Sequence, residues 1–552
     1  MRHFINAPED IVTDALDGLI LSSRQGQLAR LDGYPPIRVV VRADRDPGRV
    51  AVISGGGSGH EPAHAGFVGD GLLDAAVCGD VFASPSVDAV LAGILAVTGP
   101  AGCLLIVKNY TGDRLNFGLA AERARAMGLK VEMVVVGDDI ALPGNPQPRG
   151  IAGTIFVHKA AGHAARLGLG LGEVRRLAQD VAQSVRSLGV AVTTCSIPGR
   201  ASEERIADGL MEVGLGIHGE PGKERLKLPG AAALVQMLLA HFDDETRKSP
   251  RLALFINNLG GVPAIEMALV AKELMKSAIG PRVALLLGPA VAVSALDMRG
   301  FSISLLPLDD ARVAMLTAPV DAPSWPVARH VGHHVAVRPL PANLASPAEH
   351  PSSNPALRQC LATICAALVR SQADLDALDA KVGDGDTGST FAAAARRVSA
   401  DLDLLPLAEP GRLCLALSDR LSRVMGGSSG VLLSIFASAA GLALQQGDPL
   451  PEALMAGARR MQHYGGANEG DRTMMDALLP ALRAFGADGD LKAAAQAARA
   501  GADATARMRS ARAGRSSYVG ADDLDGIVDP GAEAVARDFA ALAGIAASAP
   551  TG

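Results

Sequence analysis

The chain has 552 residues, more than one hydrophobic core organises, so two to four domains are expected. Hydrophobic residues at 49% and charged residues at 20% describe a folded chain and exclude a disordered one. A net charge of −6 and an aromatic content of 3% give no footing for nucleic acid, which needs basic surface and stacking platforms, and no attraction to an anionic membrane. The N-terminal stretch MRHFINAPEDIV turns acidic early and has no apolar run, so it does not read as a secretory signal. Cysteines at 78, 103, 195, 360, 365 and 414 form no C-x-x-C pair, and are expected as reduced thiols of a cytoplasmic protein.

The first 330 or so residues alternate strand-like and helix-like runs. RVAVIS (49–54), CLLIVKN (103–109), KVEMVVVG (130–137), VAVTTCS (190–196), LALFINN (252–258) and RVALLLG (282–288) read as strands, and EVRRLAQDVAQSVRSLG (173–189) as a helix between two of them. The pattern predicts an α/β domain over 1–336, with subdomains of about 1–185 and 186–336. VRPLPANLASPAEHPSSNPA (337–356) reads as a linker. From 357 to 552 the sequence is rich in Ala and Leu and breaks into helix-length pieces, which predicts an all-α domain. Within it, SSGVLLSIFASAAGLAL (428–444) carries no charge; a buried bundle helix is the better reading, since nothing else looks membrane-embedded.

In the α/β part, SGGGSGHEPAH (54–64) offers two pattern matches, a glycine cradle for phosphate and the zinc-protease H-E-x-x-H. The zinc reading requires both histidines on one helical face, but glycines precede His60 and Pro62 restricts any helix to its first turn. A phosphate cradle and plain turn chemistry both remain. Three further stretches favour a polar pocket holding His, Lys and Asp. They are Lys108-Asn109-Tyr110-Thr111-Gly112-Asp113 after a strand, Gly216-Ile217-His218-Gly219-Glu220-Pro221-Gly222, and FINNLGGVP (255–263).

In the helical part, LDALDAKVGDGDTGSTF (375–391) holds a G-x-G-x-x-G that follows a helical pattern, where a dinucleotide turn must follow a strand. Asp384 and Asp386 inside the loop would repel a pyrophosphate unless a cation stood between them. On a continuous helix Asp379 and Asp384 would point roughly 140° apart. A glycine-bent loop instead converges Asp379, Asp384 and Asp386 as three hard oxygen ligands suited to Mg²⁺. Thr387-Gly388-Ser389-Thr390 and Gly426-Gly427-Ser428-Ser429 each open a helix, where free N–H groups favour phosphate. A solvated acidic turn with ordinary caps accounts for the loop equally well.

Taken together, SGGGSGHEP, KNYTGD, GIHGEPG, NNLGG, GDGDTGSTF, MGGSSG, GGANEGDRTMMDAL and GRSSYVG…DPGAEAV, in that order over nearly the whole chain, closely resemble the dihydroxyacetone kinase family in its single-chain, ATP-using form. The resemblance implies an α/β ketone-binding domain of two subdomains, followed by an all-α eight-helix barrel that holds ATP through Mg²⁺. It implies that His218 bonds to the substrate carbonyl carbon as a hemiaminal. Gly57, Ser58, Gly59, His60, Lys108 and Asp113 would line the pocket, with His60 and Asp113 positioning the reacting hydroxyl and accepting its proton. Asp379, Asp384 and Asp386 match the Mg²⁺ ligands. Thr387, Gly388, Ser389, Thr390, Ser428, Ser429, Gly465, Met474, Arg515, Asp529, Pro530 and Gly531 fall on nucleotide-contacting motifs. The implied reaction makes dihydroxyacetone phosphate from a small ketose. The alternatives are phosphorylation of another short ketose such as erythrulose, splitting of FAD to cyclic FMN, and a non-catalytic sensor. The linker would let one subunit's second domain serve another's first, as a domain-swapped homodimer.

Overall fold

The computed structural model describes residues 3–200, 205–341, 350–486, 488–513, 517 and 520–548, so Arg515 and residues 342–349 of the predicted linker lie outside the described residues. The chain divides into two compact units, Met1–Val337 and Arg338–Gly552.

The first unit holds two sheets. After α1 (Ile11–Ser22), the first sheet uses β1 (Leu28–Arg30), β2 (Val39–Arg42), β3 (Ala51–Ser58), β4 (Ala75–Val81), β5 (Cys103–Lys108) and β6 (Val131–Val136), in the order β1-β2-β4-β3-β5-β6. β3 to β6 are mutually parallel, and β1 and β2 add on antiparallel. The parallel strands are apolar on both faces because both are covered. α2 (Val87–Val97) and α3 (Thr111–Ala126) bury Ile53, Val77, Leu105 and Val107 on one side. α1, α4 (Thr154–Arg166) and α5 (Leu171–Ser184) cover Val52, Ala76, Leu104 and Ile106 on the other.

The second sheet is β7 (Arg186–Ala191), β8 (Leu210–Val213), β9 (Glu224–Lys227), β10 (Leu252–Asn258), β11 (Val283–Ala290), β12 (Gly300–Pro307) and β13 (Arg329–His330), ordered β13-β11-β10-β12-β7-β8-β9. Only β10 and β11 pair in parallel. One face packs on α6 (Ala231–Ala240) and α8 (Ala264–Lys276); α7 (Asp244–Lys248) and α9 (Asp310–Thr317) flank the sheet. The other face shares its core with α4 and the first sheet, as where Phe156 meets Phe255 with ring centroids 6.3 Å apart.

Two boundaries differ from the sequence expectation. The strand predicted to stop at Ser54 runs on through Gly55-Gly56-Gly57 to Ser58, wholly buried. Gly55 has no room for a side chain: a Cβ there would overlap the Val77 carbonyl of β4. The helix predicted over 173–189 ends at Ser184, and β7 begins at Arg186, four residues ahead of the predicted strand at 190. Leu188 and Val190 are needed in the sheet core, and that burial overrides a helical periodicity continued by chance.

The second unit is helical: α10 (Pro355–Arg370), α11 (Gln372–Val382), α12 (Thr387–Ala400), α13 (Pro410–Val424), α14 (Gly427–Gln445), α15 (Leu450–Gly465), α16 (Met475–Phe485), α17 (Leu491–Thr505), the one-turn α18 (Ala521–Leu524) and α19 (Pro530–Ser548). The helical pattern runs without interruption from α10 into α11, but the helix breaks at Ser371, which closes one helix and opens the next. From α12 to α17 each helix packs on its successor, α19 packs on α17, and α10 lies against both α19 and α12, closing a ring. α14 is long and apolar enough to cross a membrane by length and composition; here it forms ring wall between α13 and α15.

Candidate active site

In the first unit the site lies at the carboxyl ends of β3 and β5, where open α/β sheets bind ligands. β3 delivers Gly56 to Ser58 and the turn that follows delivers Gly59 and His60; β5 ends on Lys108, and the first turn of α3 carries Asp113. The second sheet supplies the rest. His218 sits in the loop joining β8 to β9, and its ring packs against His60 (centroids 4.8 Å apart), Tyr110 (4.7 Å) and Phe82 (5.3 Å). Ser294 to Leu296 hold the Gly59–His60 turn by backbone hydrogen bonds, so both sheets fix one pocket.

The hydrogen bonds assign the histidine tautomers. His218 Nδ1 lies 2.8 Å from Glu220 Oε1, and the His218 N–H donates to Glu220 Oε2. Burial would raise the Glu220 carboxyl, but the hydrogen bond and charge of His218 hold it down at about 2. With Nδ1–H donated to this carboxylate, a neutral His218 carries its lone pair on Nε2, the nitrogen a nucleophile needs. His60 Nδ1 donates to the Ser294 carbonyl at 2.8 Å, which likewise leaves Nε2 as an acceptor. Burial, with Lys108 and His218 adding charge, pushes the His60 pKa well below the ordinary value, so its ring is neutral.

Around this point His60 Nε2, His64 Nε2, Lys108 Nζ, Tyr110 Oη and Asp113 Oδ1 are buried and have no hydrogen-bond partner among the described residues. Buried polar atoms are ordinarily paired, so five orphans in one place describe a surface shaped for a polar ligand. Burial lowers the Lys108 pKa and raises that of Asp113, and each opposes the other's shift by its charge. Gly56 keeps the space open: a Cβ there would stand 3.6 Å from Lys108 Cε, 3.7 Å from Asp113 Oδ2 and 3.8 Å from His64 Nε2. Gly57 allows close backbone approach, since a Cβ would come 2.8 Å from the Ala83 nitrogen. Ser58 spends its hydroxyl on the Gly79 carbonyl at 2.8 Å, so it contributes backbone and not a side-chain donor. His60 and His64 lie in turns, not on a helix, as the objection to H-E-x-x-H requires.

In the second unit a cavity of about 900 Å³ opens where α12, α14, α16 and α19 all point their N-termini. Asp379, Asp384, Asp386, Thr387, Thr390, Ser428, Ser429, Gly465, Met474, Asp529, Pro530 and Gly531 all line it. Four helix starts sum their dipoles toward one space, and α14 begins without a side-chain cap, leaving its first N–H groups for an anion. One carboxylate oxygen each from Asp379, Asp384 and Asp386 lies within 4.8 Å of the others, the only such cluster of three among the described residues. Three carboxylates this close repel one another unless a cation lies among them, so the donor set fits Mg²⁺. Asp379 Oδ2 accepts from the Asp386 and Thr387 N–H groups at 2.9 and 3.1 Å, which ties the loop to α11 and leaves Oδ1 for a cation. Gly383 must be bare, because a Cβ would collide with that Oδ1. Leu432, Ile435, Met461 and Met475 form an apolar wall against which a flat base would lie.

Two residues expected on nucleotide-contacting motifs, Gly388 and Ser389, are not among those that line the cavity. Ser389 turns away from the cavity: its N–H and hydroxyl donate to the two oxygens of Asp376, at 2.8 and 2.7 Å. Gly388 packs on α11, where a Cβ would collide with the Gln372 carbonyl. The N-terminal turn of α12 has one face toward the cavity and one toward α11, and only Thr387 and Thr390 share the first. Sequence reasoning missed Tyr110, Glu220, His64, Phe82 and Ser294. Tyr110 and Glu220 stood inside motifs already singled out, with Glu220 two residues from the histidine it holds. Ser294 and Phe82 carried no local signal.

These two sites define a class of protein: an α/β Dak1 domain, matched over residues 21–324, followed on the same chain by a helical DAK2 domain, matched over 381–544. The chain is 50% identical over 551 residues to the dihydroxyacetone kinase of Citrobacter freundii, covering 98% of this chain and 99% of that one. It is 40% identical to the human triokinase/FMN cyclase, covering 98% of each. The crystal structure of the C. freundii dihydroxyacetone kinase in complex with AMP-PNP and Mg²⁺ superposes with a TM-score of 0.83 at 49% identity over 99% of both chains. The chain belongs to the dihydroxyacetone kinase family.

Proposed function

We propose that this protein phosphorylates dihydroxyacetone with ATP and Mg²⁺. Unpartnered buried polar atoms on His60 and Tyr110, whose rings pack on His218, and on Lys108, Asp113 and His64, which meet over Gly56, carry this reading together with the free Nε2 of His218. Dihydroxyacetone is small and uncharged, so contacts alone would discriminate poorly against glycerol. A covalent bond to the carbonyl selects ketones by reactivity instead. His218 Nε2 adds to C2 as the carbonyl π pair moves to oxygen, which takes its proton from the Lys108 ammonium and returns it when the adduct collapses. The ring becomes an imidazolium whose Nδ1–H stays on the ionised Glu220 carboxylate, which stabilises the adduct. His60 and Asp113 hold the terminal hydroxyl, and His60 Nε2 accepts its proton as the oxygen attacks the γ-phosphorus and ADP departs. Asp379, Asp384 and Asp386 would hold Mg²⁺, which neutralises charge on the transferring phosphate. Thr387, Thr390, Ser428, Ser429, Gly465, Met474 and Asp529-Pro530-Gly531 would hold the nucleotide, with Arg515 assigned by motif alone. ATP consumption tests the reaction directly: turnover on dihydroxyacetone and none on glycerol is expected. His218→Ala should lose the ketone adduct in intact-mass analysis, and an adduct that survives would remove His218 from its role.

A second activity is favoured by the likeness to the triokinase/FMN cyclase, which covers the whole length of the chain. Cleavage of FAD to cyclic FMN with Mn²⁺ would use only the helical cavity, so it should persist in His218→Ala. We further infer a cytoplasmic homodimer, with 337–356 as linker. Six unpaired cysteines suit a reducing compartment. If each linker carries its helical domain to the other copy, co-expressed His218→Ala and Asp384→Asn chains should recover turnover that neither has alone. No recovery would confine catalysis to a single chain.

A further inference from the structure

One buried histidine at the pocket has no part in the reaction described above. His64 lies in the turn after β3, and its ring meets that of His158 edge-on with centroids 5.1 Å apart. Ser54 fixes its tautomer. The single hydroxyl proton of Ser54 is donated to the Ile106 carbonyl at 2.7 Å. The Ser54 oxygen is therefore an acceptor for its two other neighbours, His158 Nε2 at 3.1 Å and His64 Nδ1 at 3.5 Å. His158 donates there at ordinary hydrogen-bond length, and the longer contact from His64 is satisfied only by an Nδ1–H, the tautomer that leaves His64 Nε2 as a bare lone pair. That atom is buried, has no partner among the described residues, and faces the space over Gly56 together with Lys108 and Asp113. Burial, reinforced by the charge of Lys108, holds His64 neutral, so the lone pair persists at working pH.

The rest of the inference rests on the ketone pocket proposed above. A ketose tethered through C2 to His218 extends two arms. One ends in the hydroxyl that His60 and Asp113 prepare for transfer. The other ends in a hydroxyl that must also find an acceptor in a dry pocket, because an unpaired buried hydroxyl is costly. Lys108 only donates. We propose that His64 is the recognition residue for the hydroxyl that is not phosphorylated, its Nε2 accepting that group's hydrogen bond.

The test compares dihydroxyacetone with hydroxyacetone, the same ketone with a methyl in place of the second hydroxymethyl. In His64→Leu, kcat/KM for dihydroxyacetone should fall about 10- to 100-fold, the worth of a buried hydrogen bond left unmade, while hydroxyacetone changes by less than about 3-fold. His64→Gln, whose amide oxygen restores an acceptor, should recover most of the preference. The preference is a ratio within one preparation, so a partly unfolded variant still reports it; should His64→Leu not fold, His64→Met carries the same test. Equal losses on both ketones would make His64 structural and overturn the proposal, as would an unchanged ratio. A wild-type enzyme that turns over neither ketone would instead overturn the pocket reading beneath it.

Discussion

At the scale of single residues, the two central histidines are made different by the oxygens they face. His218 leans on a carboxylate, which favours positive charge on its ring once a bond forms at Nε2. His60 leans on a neutral carbonyl in a fully buried site, which keeps its ring uncharged. The sign follows: His60 is a competent base above its depressed pKa and loses that role only as pH falls through it. Once the adduct has formed His218 no longer titrates as the nucleophile, so the acid limb of kcat for dihydroxyacetone should lie below pH 6.5, where a free histidine would already be half protonated. A limb at or above pH 6.5 would take the base role from His60. His60, His218, Lys108, Asp113 and the acidic triad were all legible in the sequence, because each lies in a glycine-rich motif at an element end. Ser294, which fixes the His60 tautomer from 234 residues away, was not legible, because its pairing exists only in the folded chain.

At the scale of elements, glycines do two jobs that one substitution separates. In β3, Gly55 stands where a side chain would overlap the Val77 carbonyl of the paired strand, so Gly55→Ala should destabilise the first unit by about 1–3 kcal/mol or more. In α3, Gly118 has open space around it and needs no special backbone angle, so Gly118→Ala should stabilise by about 0.5–1 kcal/mol. Denaturant midpoints of the two variants, moving in opposite directions, would check the distinction. The glycine run after Ser54 read as a loop because glycine disfavours strands. It is strand because β4 pairs along it as far as Ser58, and at Gly55 the Val77 carbonyl of β4 leaves room only for bare backbone. The helices of the second unit were easier, since a 3.6-residue apolar period survives over three or four turns. Their break at Ser371 was hidden, because Ala, Leu and Gln continue smoothly across it.

At the scale of the whole molecule, the two units have separate cores, and the two sites ask for different ligands. Two calorimetric transitions are expected. AMP-PNP with Mg²⁺ should raise only the helical one, by about 2.7 kcal/mol at a hundredfold excess over Kd. Asp384→Asn should remove that shift and leave ketone capture at His218 intact. Loss of both together would mean that the metal and ketone sites are not independent.

By itself the sequence determined the order of the architecture, α/β then all-α, and the family whose motifs single out candidate side chains for the chemistry. Composition, periodicity and motif spacing are local properties, and they survive without coordinates. Only the tertiary structure decided what those side chains can do. It set each tautomer, by bringing Ser294 to His60, Glu220 to His218 and Ser54 to His64. It turned Ser389 onto Asp376 and away from the nucleotide cavity. It gathered four helix N-termini around three aspartates. The physical reason is common to all of these: a proton's position and a carboxylate's repulsion depend on neighbours a few ångströms away, and packing, not chain order, chooses the neighbours.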